Sequence, residues 1–253
     1  MTRILVTNDD GITSPGLHAL CLAMAELGDV TIVAPDAEQS AVGHAITTLT
    51  PLRIKKVALE GGTSGHAVNG TPADAVRLAI LTICQTPPDL VVSGINLGPN
   101  TATNVIYSGT VSAATEARIL GVPSIAVSIA TFKNPIWDTP ANFAKQLATE
   151  VLARGLPDKV LLNINVPNLP LDKVKGIRVT RQGNSGYKER YEMRSDPRSV
   201  PYYWQAGTYS MTDVDEESDA LTVDKGYVSV TPVSYDLTAH DYIPALSRRL
   251  SRD

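Results

Sequence analysis

Short apolar runs alternate with stretches of helical spacing through the first two-thirds of the chain, a pattern that predicts a parallel sheet with crossover helices. Residues 3–8 read as a short buried strand and 30–34 as a second, closed by Pro35-Asp36. Between them Leu17, Leu20, Cys21, Met24 and Leu27 recur at helical spacing, with Pro15 near the first turn. Residues 52–59 and 66–68 predict a hairpin around Gly61-Gly62, a β excursion from the parallel order. Helical spacing returns at Ala75, Val76, Leu78, Ala79 and Ile83 and stops at Pro87-Pro88. Strand 89–93, helix 111–120, strand 124–129, helix 142–153 and strand 159–166 follow, which makes the fold class doubly wound α/β.

Beyond residue 180 the pattern changes. Residues 182–218 are polar and Tyr-rich, with Tyr191, Tyr202, Tyr203 and Trp204, and an acidic cluster at 213–219 reads as a solvated loop. So long a stretch without a firm pattern is unusual inside a compact domain. It is either a surface insertion or a β-arm that carries its aromatics to a partner subunit. Residues 227–231 resume strand alternation, and 245–250 close the chain as a helix. The expected division is therefore a catalytic α/β unit at 1–180 and an oligomerisation arm with its helix at 181–253.

Composition narrows the partners. With 22 Lys+Arg against 26 Asp+Glu the formal net charge is −4, and no dense basic run is present. A nucleic-acid polymer is not the expected main partner, because counterion release needs a basic face. Cys21 and Cys84 form neither a disulfide framework nor a zinc site. No secretory signal is apparent, and no apolar run approaches the roughly 20 residues of a membrane span. The expectation is a soluble cytoplasmic protein with no membrane partner.

Ligands of an open parallel sheet bind outside the carboxyl ends of its strands. Three polar loops stand there: Asn8-Asp9-Asp10-Gly11, 35–40 with Ser40, and Ser93-Gly94-Ile95-Asn96-Leu97-Gly98-Pro99-Asn100. Two adjacent carboxylates at a strand end either cap and shape a turn or hold a cation. Asp9 and Asp10, with neutral oxygens from Ser40 and Asn96, make an all-oxygen set suited to Mg²⁺, Mn²⁺ or Ca²⁺. Tyr107-Ser108-Gly109-Thr110 precedes the predicted helix at 111–120. Such a start is an ordinary N-cap or a phosphate site, where Ser108 and Thr110 hydroxyls donate and Gly109 lets a ligand approach. Asn8, Gly94 and Asn100 border the same loops and complete the expected substrate-binding set. His18, His66 and His240 read as structural, and so does His44, although its place four residues beyond Ser40 leaves an approach to the pocket as the alternative. A P-loop, a dinucleotide glycine fingerprint and a hydrolase nucleophile elbow are all absent.

These segments, together with Asn69-Gly70-Thr71-Pro72, Tyr107-Ser108-Gly109-Thr110-Val111, Asn163-Ile164-Asn165-Val166-Pro167 and the Gly226–Pro232 stretch, resemble the SurE family of stationary-phase survival proteins. The resemblance spans nearly the whole chain in order and is weakest over 184–222. It implies a Rossmann-like α/β domain, a C-terminal β-arm exchanged between subunits, and homodimers that pair into tetramers. It further implies one divalent cation per subunit on Asp9, Asp10, Ser40 and Asn96, with Mg²⁺ or Mn²⁺ as cofactor. The activity it implies is hydrolysis of nucleoside 5′- and 3′-monophosphates, with short polyphosphate attacked by some members. Asp9, Asp10 and Asn96 are then the catalytic residues. The adjacent pair, in contrast to an Asp-x-Asp spacing, favours in-line attack by a metal-activated water over an aspartyl-phosphate. The rival from another class is a regulator that grips a nucleotide or phosphate without turnover. A phosphorylation-switch receiver fits less well, because the third strand ends in Ser93-Gly94-Ile95-Asn96 and lacks an acceptor Asp.

Overall fold

Strand β1 (Arg3–Thr7) runs near the middle of a nine-stranded sheet. A computed structural model describes residues 1–251, with Tyr187 described by its backbone alone. Strands β2 (Asp29–Pro35) and β5 (Leu90–Leu97) flank β1, and both run parallel to it. The first crossover therefore leaves β1 in one direction and the later ones leave in the other. Beyond β5 lie β6 (Ser124–Ala130) and β7 (Val160–Pro167), again parallel. This is the doubly wound order, with its switch point between β1 and β5.

The alternation inside β1 explains why helices cover both faces. Ile4 and Val6 pack with Leu17, Leu20 and Met24 of α1 (Pro15–Ala25) and with Phe143, Ala144 and Ala148 of α5 (Asp138–Arg154). Leu5 points the other way, into a cluster with Val76 of α2 (Pro72–Leu78) and Ala113 and Ala117 of α4 (Gly109–Ile119). A single helical turn, α3 (Asn104–Tyr107), precedes α4. The caps follow local chemistry. Ser14 accepts from the Leu17 amide, Thr71 and Asp74 form a capping box, and Ser108 accepts from the Val111 amide.

The hairpin expected at 52–68 is present as β3 (Ile54–Ala58) antiparallel to β4 (Ser64–Val68), and β4 adds to the sheet parallel to β2. The helical spacing at 75–83 resolves into α2 followed by one wider turn, Ala79–Ile83. Helix α5 begins at Asp138, four residues ahead of its expected start, because Thr139 and Pro140 are buried in its first turn.

After β8 (Ile177–Val179) the Tyr-rich segment forms a long hairpin of β9 (Gly186–Ser195) and β10 (Pro201–Ser210), which among the described residues pair only with each other. Tyr191, Tyr203 and Trp204 are exposed on it. The short α6 (Asp219–Asp224) leads to β11 (Val228–Ser234), which returns to the main sheet, antiparallel to β7 and parallel to β8. The amphipathic α7 (Ile243–Leu250) ends the chain with Ile243, Leu246 and Leu250 exposed.

The acidic cluster is exposed at 214–217, as a solvated loop is, but Asp213, Asp215 and Glu216 are ion-paired and Asp219 is buried. Arg181 bridges Asp213 and Asp215 at 2.8 and 2.9 Å, and Glu216 pairs with Arg178 and Lys225. Asp219 is fully buried and accepts from the amides of Ala102, Gly183 and Ala220. Sequence shows the run of acids but not the cations brought to it by β8, by the residues after it and by the end of α6. Among the described residues no helix is long and apolar enough to cross a membrane.

Candidate metal centre and active site

Asn8 and Asp9 leave the end of β1 fully or nearly buried. The Asn8 amide donates to the Gly11 carbonyl at 3.0 Å and to Ser14 Oγ at 2.7 Å, so it ties the turn to the start of α1. Its Oδ1 is buried without a partner, as is Thr7 Oγ1.

Asp9 faces the first turn of α4. Its Oδ1 accepts from the Thr110 hydroxyl, and its backbone carbonyl accepts from the Gln39 amide at 2.8 Å, which draws the loop after β2 alongside. Gly109 is required here: a Cβ at this position would stand 2.7 Å from Asp9 Cβ and 2.8 Å from Oδ2. Burial raises the Asp9 pKa, against the opposing hydrogen bonds from Thr110. Asp10 is pushed up to about 6, by burial first and then by the neighbouring Asp9 charge, with the Leu97 amide at 3.3 Å opposing. Glu38 adds negative potential at both.

Ser40 belongs to the same loop as Glu38, and its hydroxyl donates to Glu38 Oε1 at 2.6 Å. Asn96 reaches the edge through an irregularity in β5. The register against β6 shifts between Ser93 and Asn96, so β5 carries one extra residue there, a bulge of the kind that re-aims a side chain at a site. The Asn96 amide then donates to the Gly98 carbonyl at 2.7 Å, which turns Oδ1 away from that bond.

The donor chemistry fits a hard divalent cation. Among the described residues no Lys or Arg forms an ion pair with Asp9, Asp10 or Glu38. A buried carboxylate next to a half-buried one is stabilised as an anion pair by positive charge. No group of three or more His, Cys, Asp and Glu side chains is gathered for a metal among the described residues. The candidate donors are accordingly two carboxylates and the neutral oxygens of Ser40 and Asn96, an oxygen set suited to Mg²⁺ or Mn²⁺.

The expected phosphate site has a different internal wiring. Ser108 Oγ caps α4, and Thr110 donates to Asp9, so both hydroxyls already serve the protein. Gly94 packs inside the sheet, where a Cβ would meet the Val127 carbonyl at 2.3 Å. Asn100 is a strut: its backbone and side chain bond Asn163, Asn165 and Ser128. The sequence signal for that strut was Asn163 and Asn165, two amides at strand spacing in an apolar run. Glu38 also escaped selection, since nothing local distinguishes it from any loop carboxylate. His44 does not enter the cluster. It bonds Glu116 Oε2 at 2.7 Å, and Arg77 holds Oε1 of the same buried carboxylate at 2.6 Å.

Comparison with known proteins points to one family. The family model described as Survival protein SurE matches residues 4–189. A protein of Syntrophobacter fumaroxidans named 5′-nucleotidase SurE is 50% identical over 246 residues, which is 97% of this chain and 98% of that relative. A relative of the same name from Syntrophus aciditrophicus is 46% identical across 99% of the chain and 95% of its own length. The crystal structure of the SurE protein from Aquifex aeolicus superposes with a TM-score of 0.86 at 42% identity, covering 98% of this chain and all of that one. The doubly wound sheet and these matches across almost the full length place the chain in the SurE family.

Proposed function

We propose that this chain is a 5′-nucleotidase: a divalent-metal-dependent phosphomonoesterase that releases phosphate from nucleoside 5′-monophosphates and also from 3′-monophosphates. The observation that carries this reading is the pair of a buried Asp9 and a half-buried Asp10, without an ion-paired Lys or Arg among the described residues and set against the start of α4. The close relatives named 5′-nucleotidase support the substrate class.

Asp9, Asp10, Ser40 and Asn96 would hold the cation. When bound, it would neutralise phosphoryl charge and lower the pKa of water at the site. The chain's own residues do the rest. Thr110 fixes Asp9, and the Leu97 amide fixes Asp10, so neither carboxylate must reorganise when substrate arrives. The first turn of α4 offers backbone amides and a dipole that favour the phosphate. Asp9 polarises the attacking water for in-line displacement of the nucleoside oxygen. A regulator that grips phosphate without turnover would use the same contacts, and the names of the relatives do not favour it.

The hairpin and terminal helix support a second element of the proposal. Among the described residues strands β9 and β10 pair only with each other, and Tyr191, Tyr203 and Trp204 on them and the apolar face of α7 are exposed. We read residues 181–253 as an arm exchanged between subunits of a homodimer that can pair into a tetramer.

The test is phosphate release from a panel of 5′- and 3′-monophosphates by protein stripped with EDTA and then given Mg²⁺ or Mn²⁺, beside Asp9→Asn. Release should require metal and fall by about a hundredfold or more in the variant. Nucleotide binding with no release under any metal would leave the regulator.

A further inference from the structure

We infer that Asp219, a buried carboxylate at the start of α6, is a positioning residue for the metal site: it clamps Ala102, and through α3 that clamp sets the loop that carries Ser40. This rests on the metal-dependent reading above and adds to it a residue that is not itself a ligand. Asp219 is fully buried and both of its oxygens are occupied. Oδ2 accepts from the Ala102 amide at 2.8 Å, and Oδ1 accepts from the Gly183 amide at 2.9 Å and the Ala220 amide at 2.7 Å. Only the last of these belongs to its own helix, so capping α6 does not account for the other two. Gly183 is fitted to the bond, since a Cβ there would stand 2.6 Å from Ser218 Oγ and 2.8 Å from Asp219 Oδ1. A carboxylate buried this deeply needs its hydrogen bonds, so each of them constrains both partners.

The residue it grips has to be held. Ala102 is buried with a φ of +51°, a left-handed conformation that a non-glycine residue keeps only when its surroundings enforce it. Gln182 holds it from the other side, its Nε2 donating to the Ala102 carbonyl at 2.8 Å. The Val105 amide of α3 reaches the same carbonyl, so α3 starts on a pinned residue. It ends at Tyr107, whose carbonyl accepts from the Gly43 amide at 3.0 Å. Ser40 therefore lies between two backbone anchors. Before it the Gln39 amide bonds the Asp9 carbonyl at 2.8 Å, and after it Gly43 hangs on α3. The first anchor comes with the carboxylate pair itself. The second is only as firm as α3, and α3 is only as firm as Ala102.

Three variants test this. Asp219→Asn keeps the size of the side chain but turns an NH₂ group toward amide donors, so at least one bond is lost. Gln182→Ala removes the second hold on Ala102 at a residue exposed to solvent. Val223→Ala loosens α6 at a buried side chain outside this chain of bonds. Mn²⁺ binding to each protein is read by electron paramagnetic resonance of the free ion, and amide hydrogen exchange over 36–47 and 100–107 by mass spectrometry. The Kd for Mn²⁺ should rise about tenfold in Asp219→Asn and by less in Gln182→Ala. Both segments should exchange faster in these two, while Val223→Ala keeps the Kd and the exchange of the unsubstituted protein. An unchanged Kd in folded Asp219→Asn overturns the inference and leaves the metal site standing. An equal rise in Val223→Ala overturns it too, because Asp219 would then be a general support of α6. Should Asp219→Asn not fold, Gln182→Ala decides by the same two readings. If the unsubstituted protein binds no Mn²⁺, the metal-dependent reading fails and exchange decides the clamp alone: faster exchange of 36–47 in the Ala102 variants upholds it, and unaltered exchange overturns it.

Discussion

Asp9 and Asp10 bring two carboxyl groups into a corner where Asp9 is 4% exposed, and their effect on stability depends on what neutralises them. Without metal, burial and mutual repulsion raise both pKa values, that of Asp10 to about 6, so the ionised pair opposes folding at neutral pH. With metal the same charges become attractive. Asp10→Asn should therefore change sign with conditions. In EDTA its Tm should equal or exceed that of the parent. With Mn²⁺ a hundredfold above Kd the parent should gain about 2.7 kcal/mol, or about 5–10 °C in Tm, and the variant should gain far less. Equal metal-induced shifts in the two proteins, read by calorimetry, would remove Asp10 from the metal site.

The long segment between β2 and β3 has no regular structure, yet it carries Glu38 and Ser40 to the site, and side chains on helices fasten it there. Thr47 bonds Asp74 of α2 through both its amide and its hydroxyl, and the Thr71 hydroxyl holds the Ala45 carbonyl. His44 reaches Glu116 of α4, which Arg77 of α2 also grips. Burial alone would raise the Glu116 pKa, but the hydrogen bonds from His44 and then Arg77 outweigh it and hold the carboxyl below its ordinary value. A depressed folded-state pKa adds stability above the unfolded value and loses it as pH falls through the folded one. Stability should thus drop on acidification below pH about 4.5. Glu116→Gln should flatten that limb and cost about 2 kcal/mol at neutral pH. Urea unfolding of both proteins across pH 3–7 measures this, and parallel pH curves would exclude Glu116 as the source.

The order of the strands puts the chemistry where it is. Only because β2 and β5 lie on opposite sides of β1 do the loops at Asp9, Ser40 and Asn96 open onto one crevice. The hairpin is the opposite case, ten residues per strand projecting with Tyr203 62% and Trp204 60% exposed. Apolar surface left in this way on an otherwise paired fold marks an interface. Replacing both Tyr203 and Trp204 by Asp should shift the particle toward monomer in light scattering, while the subunit keeps its circular dichroism. Unchanged mass would mean that the hairpin aromatics do not join subunits.

Much of this was legible along the chain because it is governed by near neighbours. The apolar runs at 3–8 and 30–34, helical spacing in α1 and α4, the cap at Ser108 and the adjacency of Asp9 and Asp10 are local patterns, and local sterics and hydrogen bonding enforce them, whereas α1 is capped by Ser14 and not by an aspartate. The hairpin around Gly61-Gly62 was legible for the same reason. What sequence order could not supply is who meets whom across it. That Thr110 serves Asp9, that Asn100 rests on Asn163 and Asn165, and that His44 turns to Glu116 depends on contacts between residues up to about a hundred positions apart. The same holds for Asp219, an acid among acids in the sequence and a buried strut once Ala102 and Gly183 bring their amides to it. Pattern along a chain fixes which face of each element is apolar. Burial, and with it the charge state of Asp10 and the hold of Asp219 on Ala102, exists only once those faces have closed on one another.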